Sequence, residues 1–400
     1  MNRTDPGTTP VVVAARRTPQ GKEGGALADV RSEDLSIPVI EALLDETGLD
    51  GAAVDDLRWG CAQQREEQGN NLARVIALLS ELGESVPAAT INRWCASSAE
   101  AVAGAADAIA AGQRDCLLVG GVESMSRVQQ GGNTHNVHPG LNDVYDVAEL
   151  EMGMTAETVA DRYGVSREAQ DEYGYRSQRR AAEATDAGRF DDELVPIEAD
   201  AGTLTEDEGI RRGTSLEAMR ELPPVFRSDG TVTAGNASQI SDGAAGLLVT
   251  SRAFADEHGL EPLAAVARHE VAGVDPRVMG IGPIPATRAL LDRADRDVGT
   301  YDLVELNEAF AAQTVHCRRE LSIPDERFNV NGGAIAIGHP LGASGARLPV
   351  TLLHELVRRG GERGIATECV GFGQGMAIEF TRSRGQEPTV NAVHGRSTGP

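Results

Sequence analysis

Short apolar runs alternate with longer segments of helical periodicity along the first third of the chain. The apolar runs are predicted as buried strands, at residues 11–15, 88–91 and 116–121. The segments between them are predicted as helices, at residues 32–47, 70–82 and 96–111. Ser32 is the candidate N-cap of the first helix, while Gly48 and Gly112 follow the ends of two of these helices. Strands alternating with helices predict an α/β fold, with a parallel sheet covered on both faces.

The alternation of strands and helices resumes in the second half of the chain. Strands are predicted at 244–249, 264–269 and 302–306, and a helix is predicted from 253. Between the two halves the chain is polar, Gly-rich and irregular, apart from one amphipathic helix near 166–188. We therefore predict four parts: an N-terminal α/β domain over residues 1–125 that is completed by about 242–270, an inserted loop domain over 126–241, a C-terminal α/β domain over 271–385, and a polar tail over 386–400.

The 400-residue chain is strongly acidic, with a formal net charge of −24, and Lys22 is its only lysine. An acidic, lysine-poor surface stays hydrated in concentrated salt, where screening removes its self-repulsion. A halophilic host is therefore our hypothesis. The alternative is an ordinary acidic enzyme, because genomic base composition also depletes lysine. Either way, the charge argues against nucleic acid as a partner.

No apolar run reaches the length of a membrane span, and residues 10–15 are too short and wrongly flanked for a signal peptide. We expect a cytoplasmic protein without membrane insertion. The five cysteines are widely spaced and form no CxxC pattern, which argues against a disulfide framework and a metal site. Cys61, Cys116 and Cys317 are predicted to be buried small hydrophobic residues.

Residues 331–347 carry the most informative motif, with five glycines around His339. Glycine lets a backbone turn sharply or approach a ligand closely, so this density indicates a tight cradle that presents an imidazole to a bound group. The alternative is a mobile glycine-rich loop. Flexible linkers are polar and Ser-rich, however, whereas residues 334–337 are apolar.

Cys95 lies where a predicted strand meets the start of a helix. Unpaired amides and the helix dipole at such a place favour a thiolate, so the sequence predicts a lowered pKa and a nucleophilic sulfur. The small residues 96–99 leave room for an acyl group. Taken alone, the cysteine also fits the alternative interpretation, a purely structural role.

Cys369 ends an apolar strand and is followed by the glycine-alternating loop 371–375. Such a loop frees backbone amides to point at a substrate oxygen, although a tight turn between strands has the same pattern. Asn307 begins a third motif, which places a polar pair beside Phe310 and also has the pattern of an ordinary helix start.

Together these motifs resemble the thiolases, enzymes that carry out reversible Claisen chemistry on acyl-CoA thioesters. The resemblance runs from about residue 11 to residue 382. It is carried by motifs at residues 92–98, 120–126, 152–157, 230–238, 279–286, 307–311, 331–347 and 364–375. The implied fold has duplicated βαβ-type domains in a layered αβαβα arrangement with an inserted loop domain.

The resemblance implies a role for each reactive group. Cys95 would be the acylated nucleophile, His339 the base that activates it, and Cys369 the acid and base at the acetyl-CoA carbon. This division suits the chemistry, because carbon–carbon cleavage needs a covalent acceptor and a separate proton donor. His339 with a water held by Asn307 would form one oxyanion site, and the amides of Cys95 and Gly371 the other.

For substrate binding, the resemblance points to the inserted loop domain. Arg211 would meet the nucleotide end of coenzyme A and Ser238 its pantetheine arm, while Met152 and Phe310 would contact the substrate. A solvated surface charge is the alternative for Arg211. Coenzyme A is expected as a co-substrate, with no tightly bound cofactor or metal. A homodimer or homotetramer is implied, and some members also join other β-oxidation enzymes.

Two departures from the family pattern concern the subtype. Phe372 separates Gly371 from Gly373 where many thiolases have three glycines, and Glu151 stands where many short-chain biosynthetic members have histidine. We therefore predict thiolytic cleavage of 3-ketoacyl-CoA in fatty-acid degradation.

Three alternative functions share parts of this pattern. A biosynthetic acetoacetyl-CoA thiolase uses the same groups in condensation. A decarboxylating ketoacyl synthase needs a second histidine, where this chain has Cys369. A non-catalytic acyl-CoA-binding protein is the alternative from a different class.

Overall fold

The computed structural model describes residues 6–129 and 138–382, so the predicted tail at 386–400 lies outside the described residues. The strands are β1 (Pro10–Arg17), β2 (Gly21–Lys22), β3 (Asp56–Gly60), β4 (Ala88–Ile91), β5 (Cys116–Ser124), β6 (Ile197–Ala199), β7 (Gly202–Leu204), β8 (Ser241–Ser251), β9 (Ala264–Gly273), β10 (Leu303–Leu306), β11 (Arg363–Val370) and β12 (Gln374–Thr381).

The α-helices are α1 (Ser32–Thr47), α2 (Leu72–Leu79), α3 (Ser97–Ala110), α4 (Met152–Tyr163), α5 (Arg167–Asp186), α6 (Leu216–Arg220), α7 (Arg252–His258), α8 (Pro283–Ala294), α9 (Ala311–Glu320), α10 (Ala334–Ile337) and α11 (Leu341–Arg359). Short 3₁₀ helices lie at Pro6–Thr8, Gly51–Ala53, Glu66–Gln68, Pro139–Leu141, Val147–Leu150, Pro276–Ile281, Val298–Thr300 and Asp325–Arg327.

One sheet of ten strands runs through the molecule in the order β10-β11-β12-β9-β1-β8-β5-β3-β4, with β2 paired to β8. The α/β fold is therefore confirmed. The prediction of a parallel sheet is wrong for the central strands, because β1, β5 and β8 pair antiparallel, as do β9, β11 and β12. These strands are covered on both faces, and every residue of β8 is buried. The alternation of apolar and polar residues that usually marks antiparallel strands is therefore missing.

The two halves of this sheet meet at β1 and β9, which are joined by only two residue pairs, Val11 with Ala265 and Val12 with Ala264. Helices α3 and α11 pack between the halves, and their apolar side chains share one core with strands of both. Helix α1 covers the outer face of the N-terminal half, whereas α8 and α9 cover that of the C-terminal half. The elements thus form the predicted αβαβα layers. The division into domains stays a prediction.

The two ends of helix α1 differ in how well local sequence rules predict them. Its bounds match the prediction, and Gly48 ends it in the left-handed conformation with φ of 66°. The prediction that Ser32 is the N-cap is wrong. Arg31 occupies that position, and the Ser32 hydroxyl donates instead to Gln68 Oε1 at 2.8 Å. A buried tertiary partner has replaced the local capping bond.

Candidate active site

Cys95 lies between β4 and α3, two residues before the helix begins, and only 7% of it is exposed. Burial raises the pKa of its thiol to about 12, and the nearby carboxyls of Glu368 and Glu123 act in the same direction. The amides of Gly371 and Cys95 point at the sulfur and oppose this shift. The predicted lowering of the Cys95 pKa is therefore wrong, because desolvation raises the pKa by more than the amides and dipole at the helix start lower it. The resting group is a thiol.

His339 stands in the loop between α10 and α11 and is 5% exposed. Its Nδ1 lies 2.6 Å from the hydroxyl oxygen of Ser344, and that hydroxyl donates its hydrogen to the Pro340 carbonyl at 2.9 Å. Because the Ser344 hydrogen is already engaged, its oxygen accepts from the Nδ1–H of the ring. Nε2 is then left with a lone pair, as a base requires.

Burial also governs the charge of this imidazole. Desolvation lowers the pKa of His339 to about 3, and the buried guanidinium of Arg347 acts in the same direction. The ring is therefore neutral near neutral pH. A neutral imidazole and a thiol form the resting pair.

Two glycines of the histidine cradle allow a close approach of backbones. Gly338 has φ of 124°, a conformation that side chains rarely adopt, and a β-carbon there would lie 2.5 Å from Ser241 Oγ. A β-carbon at Gly342 would lie 2.7 Å from the α-carbon of Cys61. The start of α11 can therefore pack directly against the end of β3.

Glu123 ties the same two segments together. Its carboxyl accepts from the amides of Ala62 at 2.8 Å, Gln63 at 3.0 Å and Gly342 at 2.8 Å, and from Gln68 Nε2 at 2.7 Å. The sequence motif at residues 120–126 did not by itself indicate a role for Glu123. The available signal was a charged residue in a strand whose other positions are mostly apolar.

Asn307 follows β10 and is fully buried beside His339. Its side-chain nitrogen lies 3.2 Å from Nε2 and 3.3 Å from Nδ1 of the ring. Gln313 Nε2 donates to the Asn307 carbonyl at 2.8 Å and so holds this backbone in place. The structure thus brings together the pair predicted to form one oxyanion site, and its catalytic role stays a prediction.

Cys369 lies on β11, opposite Gly375 of β12, and is 0% exposed. Burial raises the pKa of its thiol well above the ordinary value, and neighbouring Cys95 adds to the shift. The apolar side chains around it are Met152, Ala156, Val232, Ala237, Met279, Ala309 and Phe310. Two predicted substrate-binding residues, Met152 and Phe310, therefore lie beside Cys369.

Gly371 and Phe372 begin the loop after β11. The amide of Gly371 points at the Cys95 sulfur, and the Trp94 ring packs against Gly371. Phe372 is partly exposed, adopts a left-handed φ of 61°, and has its ring 5.5 Å from that of Trp94. An aromatic pair thus borders the second predicted oxyanion site.

Arg211 and Ser238 lie on the segment between α5 and β8. Arg211 is exposed, and with Gln178 and Gly235 it lines a pocket of about 130 Å³. Its side chain forms no ion pair with a described residue, whereas adjacent Arg212 pairs with Asp186 and Glu206.

The Ser238 amide donates to the carbonyl of Ala309 at 2.9 Å, which places Ser238 next to the apolar cluster around Cys369. A larger pocket, of about 590 Å³, lies between α8 and α9 and includes none of the predicted site residues. The larger opening is therefore separate from the reactive groups.

Within residues 6–129 and 138–382, no three histidine, cysteine or carboxylate side chains are grouped so that they could hold a metal ion. The described helices include none that is both long and apolar enough to cross a bilayer. The polar groups that the site presents are two thiols, an imidazole, a side-chain amide and backbone donors.

Comparison with known proteins identifies this arrangement. Residues 10–253 match the family model described as the thiolase N-terminal domain, and residues 260–382 match the thiolase C-terminal domain. The chain is 46% identical to the β-ketoadipyl-CoA thiolase of Pseudomonas aeruginosa, over 92% of this chain and 98% of that protein. It is 47% identical to the 3-ketoacyl-CoA thiolase of Cronobacter sakazakii, over 93% and 99%.

A solved structure shows the same likeness in three dimensions. The crystal structure of human mitochondrial 3-ketoacyl-CoA thiolase in complex with CoA superposes with a TM-score of 0.87 at 39% identity. The match covers 94% of this chain and 98% of that one.

Proposed function

The chain belongs to the thiolase family, and we propose that it cleaves 3-ketoacyl-CoA with free coenzyme A to give acetyl-CoA and a shortened acyl-CoA. It is an acyltransferase, in keeping with its relatives. The observation that carries the proposal is the pair of buried thiols, in which Cys369 lies beside Cys95, in a protein whose buried, neutral His339 lies beside Asn307. Relatives named for 3-ketoacyl-CoA supply the substrate class.

In the first half-reaction, the Cys95 sulfur attacks the 3-keto carbon as Nε2 of His339 takes the thiol proton. A raised thiol pKa and a lowered imidazole pKa make this transfer unfavourable in the resting protein. Charge on the keto oxygen is stabilised by the amides of Cys95 and Gly371, which already point at the sulfur. The carbon–carbon bond then breaks, and the carbon of the departing acetyl-CoA takes its proton from the thiol of Cys369.

In the second half-reaction, the thiol of a fresh coenzyme A attacks the acyl group on Cys95. The bond between the acyl carbon and Cys95 breaks, and the acyl group leaves as its coenzyme A thioester. His339 and Asn307 lie side by side, which supports their action in the first half-reaction as donors to the enolate oxygen of the departing acetyl-CoA. The proton of the coenzyme A thiol passes to the Cys369 thiolate, and the proton held by His339 returns to the departing Cys95 thiolate, so both cysteines end as thiols.

The acyl class follows from what surrounds the sulfurs. Apolar side chains cluster around both cysteines, and the charged groups that act most on Cys95 are carboxyls. A dicarboxylic acyl group, as named for the Pseudomonas relative, needs a cation for its far end. We therefore propose apolar acyl chains.

The discriminating measurement is kcat/KM for thiolysis of 3-ketodecanoyl-CoA, acetoacetyl-CoA and 3-ketoadipyl-CoA. We expect the first to exceed each of the others by about tenfold or more. Preference for acetoacetyl-CoA would instead identify the biosynthetic thiolase, and preference for 3-ketoadipyl-CoA the dicarboxylic one.

For coenzyme A, we propose that Arg211 meets the nucleotide phosphates and Ser238 the pantetheine arm. A chain with a net charge of −24 repels anions, so an unpaired arginine at a pocket offsets the field locally. Arg211→Ala should raise KM for coenzyme A by up to about fivefold, because an exposed contact contributes no more than about 1 kcal/mol.

Arg212→Ala is the matched control, since the adjacent side chain is already paired with Asp186 and Glu206. Equal effects of the two variants on KM would show that general charge, and not a contact with the phosphates, is responsible.

We also propose that the acidic surface is an adaptation to high salt. The melting temperature should rise from dilute buffer to multimolar KCl as screening removes self-repulsion. A melting temperature that stays flat or falls would leave an ordinary acidic enzyme as the explanation.

A cytoplasmic homo-oligomer completes the proposal, as the family resemblance implies. The five cysteines are free and buried, which suits a reducing compartment.

A further inference from the structure

In the C-terminal half of the sheet, the face turned toward α3 and α11 carries two carboxyl groups among aliphatic side chains. Glu305 on β10 and Glu368 on β11 point to this face, because Leu303 and Ala366, two residues earlier on the same strands, belong to the core shared with α11. Glu305 is 3% exposed and Glu368 is 2% exposed. Neither has a role in the reaction described above.

Arg347 of α11 is buried beside them. Its Nη1 lies 3.9 Å from Glu305 Oε2, beyond hydrogen-bond distance. All three guanidinium nitrogens of Arg347 lack a hydrogen-bond partner among the described residues, as do Oε2 of Glu305 and Oε2 of Glu368. Buried polar atoms without partners are rare and costly.

The other buried carboxyls near Arg347 each accept at least two hydrogen bonds, although Oε2 of Glu193 has no partner among the described residues. Glu193 accepts from Arg17 at 2.6 Å and from Thr351 at 3.0 Å, and Asp207 accepts two hydrogen bonds from Arg17. Glu308 accepts from the hydroxyls of Tyr173 and Ser177 at 2.7 and 2.6 Å. These three acids already outnumber the two buried guanidinium groups.

Two further negative charges in this layer would therefore be neither hydrogen bonded nor balanced. A buried carboxyl in that position keeps its proton. Burial raises the pKa of Glu305 to about 8 and that of Glu368 well above its ordinary value, although Arg347 acts against both shifts.

Glu368 is the more consequential of the two because of where it lies. A β-carbon added to Gly345 would be 2.7 Å from Glu368 Oε1 and 2.5 Å from the Ala99 amide, so the carboxyl reaches the first turn of α3, just after Cys95. A negative charge here would oppose a thiolate on Cys95.

The groups facing Glu368 come from each neighbouring element. They are Cys95 and the start of α3, Arg347 on α11, and uncharged Met376 on β12, while Cys369 follows Glu368 on the same strand and Glu305 on β10 pairs with Ala366, two residues before Glu368. The helix start and Arg347 favour ionisation, whereas desolvation and the missing donors oppose it and dominate.

We propose that Glu368 is a positioning residue that holds a proton in the resting protein, so that Glu368 adds no negative charge beside Cys95 when the Cys95 thiol passes its proton to His339. The inference rests on the proposed function only in taking Cys95 as the nucleophile. It adds a group that acts on the reaction through Cys95 without touching the substrate.

The test compares the full-length wild type with Glu368→Gln, which keeps the shape of a neutral carboxyl. Infrared spectra recorded against pH report un-ionised carboxylic acids directly, and Glu368→Gln should lack one carbonyl band that the wild type shows at neutral pH. Alkylation of Cys95 by iodoacetamide, followed by mass spectrometry, reports its ionisation. At neutral pH the two proteins should react within about twofold of each other.

At alkaline pH the variant should react faster than the wild type, beginning where the wild-type band is lost, because only the wild type then gains a charge beside Cys95. Glu305→Gln is the control, because it should lose a different infrared band and leave the alkylation profile of Cys95 unchanged.

Two results would overturn the proposal. If Glu368→Gln reacts tenfold faster at neutral pH, Glu368 is already ionised in the wild type. If the two alkylation profiles coincide past the pH at which the band disappears, Glu368 does not act on Cys95. Should the variant fail to fold, spectra of Glu305→Gln, which retains Glu368, decide whether a carboxylic acid other than Glu305 persists at neutral pH. Alkylation requires no turnover, so failure of the proposed thiolase activity would be seen separately, in assays with 3-ketoacyl-CoA.

Discussion

Replacing Cys95 with serine is expected to lower kcat for thiolysis by about a thousandfold or more. The acyl group must be carried covalently between the two half-reactions, and a hydroxyl is a far weaker nucleophile than a sulfur whose proton can pass to His339. Wild-type protein incubated with 3-ketoacyl-CoA in the absence of free coenzyme A should gain the mass of one acyl group on Cys95. The variant should gain none.

Cys116→Ala is a suitable control, because Cys116 is also buried and free but lies in the core outside the α3 layer. It should retain kcat and still carry the acyl group on Cys95. Full turnover by Cys95→Ser, or acylation found on another residue, would contradict the assignment of the nucleophile.

Replacing His339 with alanine is expected to reduce the rate of Cys95 acylation by about 10²- to 10⁴-fold, the usual contribution of a positioned general base. Coenzyme A binding should remain largely intact, because the nucleotide end is proposed to lie at Arg211. Rapid-mixing measurement of acylation, together with calorimetric titration of coenzyme A, separates the two effects.

The wild-type pH profile gives a second readout of His339. Its pKa is lowered to about 3, so the imidazole stays a neutral base as pH falls through 6.5. Acylation should therefore show no loss near the ordinary pKa of histidine. A histidine elsewhere provides the control: His354 of α11 bonds to the Ala15 carbonyl, and His354→Ala should leave acylation unchanged. Loss of coenzyme A binding without loss of acylation in His339→Ala would return the glycine cradle to a structural role.

Sequence patterns predicted the α/β class, the bounds of α1 and the layered arrangement, because each rests on local periodicity or on many motifs in order. They also indicated Cys95, His339, Asn307 and Cys369, each marked by unusual neighbours, and the fold places Cys369 beside Cys95 and Asn307 beside His339. The sequence patterns did not predict the direction of the central strands correctly. β8 is buried on both faces, so nothing local distinguishes its antiparallel pairing from a parallel one.

The direction of the Cys95 pKa shift shows why electrostatics could not be predicted from local sequence. The position before α3 indicated a thiolate, but the shift depends on complete burial and on carboxyls from β5 and β11 that are distant in sequence. The roles of Ser344 and Glu123 were likewise hidden. Ser344 acts through a hydroxyl whose hydrogen is already donated to Pro340, and Glu123 acts through amides from two segments that meet only in the folded protein.

Helices α3 and α11 form a single layer between the two halves of the sheet, and Cys95 and His339 each stand just before one of them. The two helices contribute side chains to a core that both halves of the sheet share. Neither half can therefore unfold alone while this helical layer stays packed. Local opening that spares the rest of the molecule is therefore disfavoured at the reactive groups. We therefore expect loss of activity and global unfolding to occur together, so that both should follow one transition as the denaturant concentration rises.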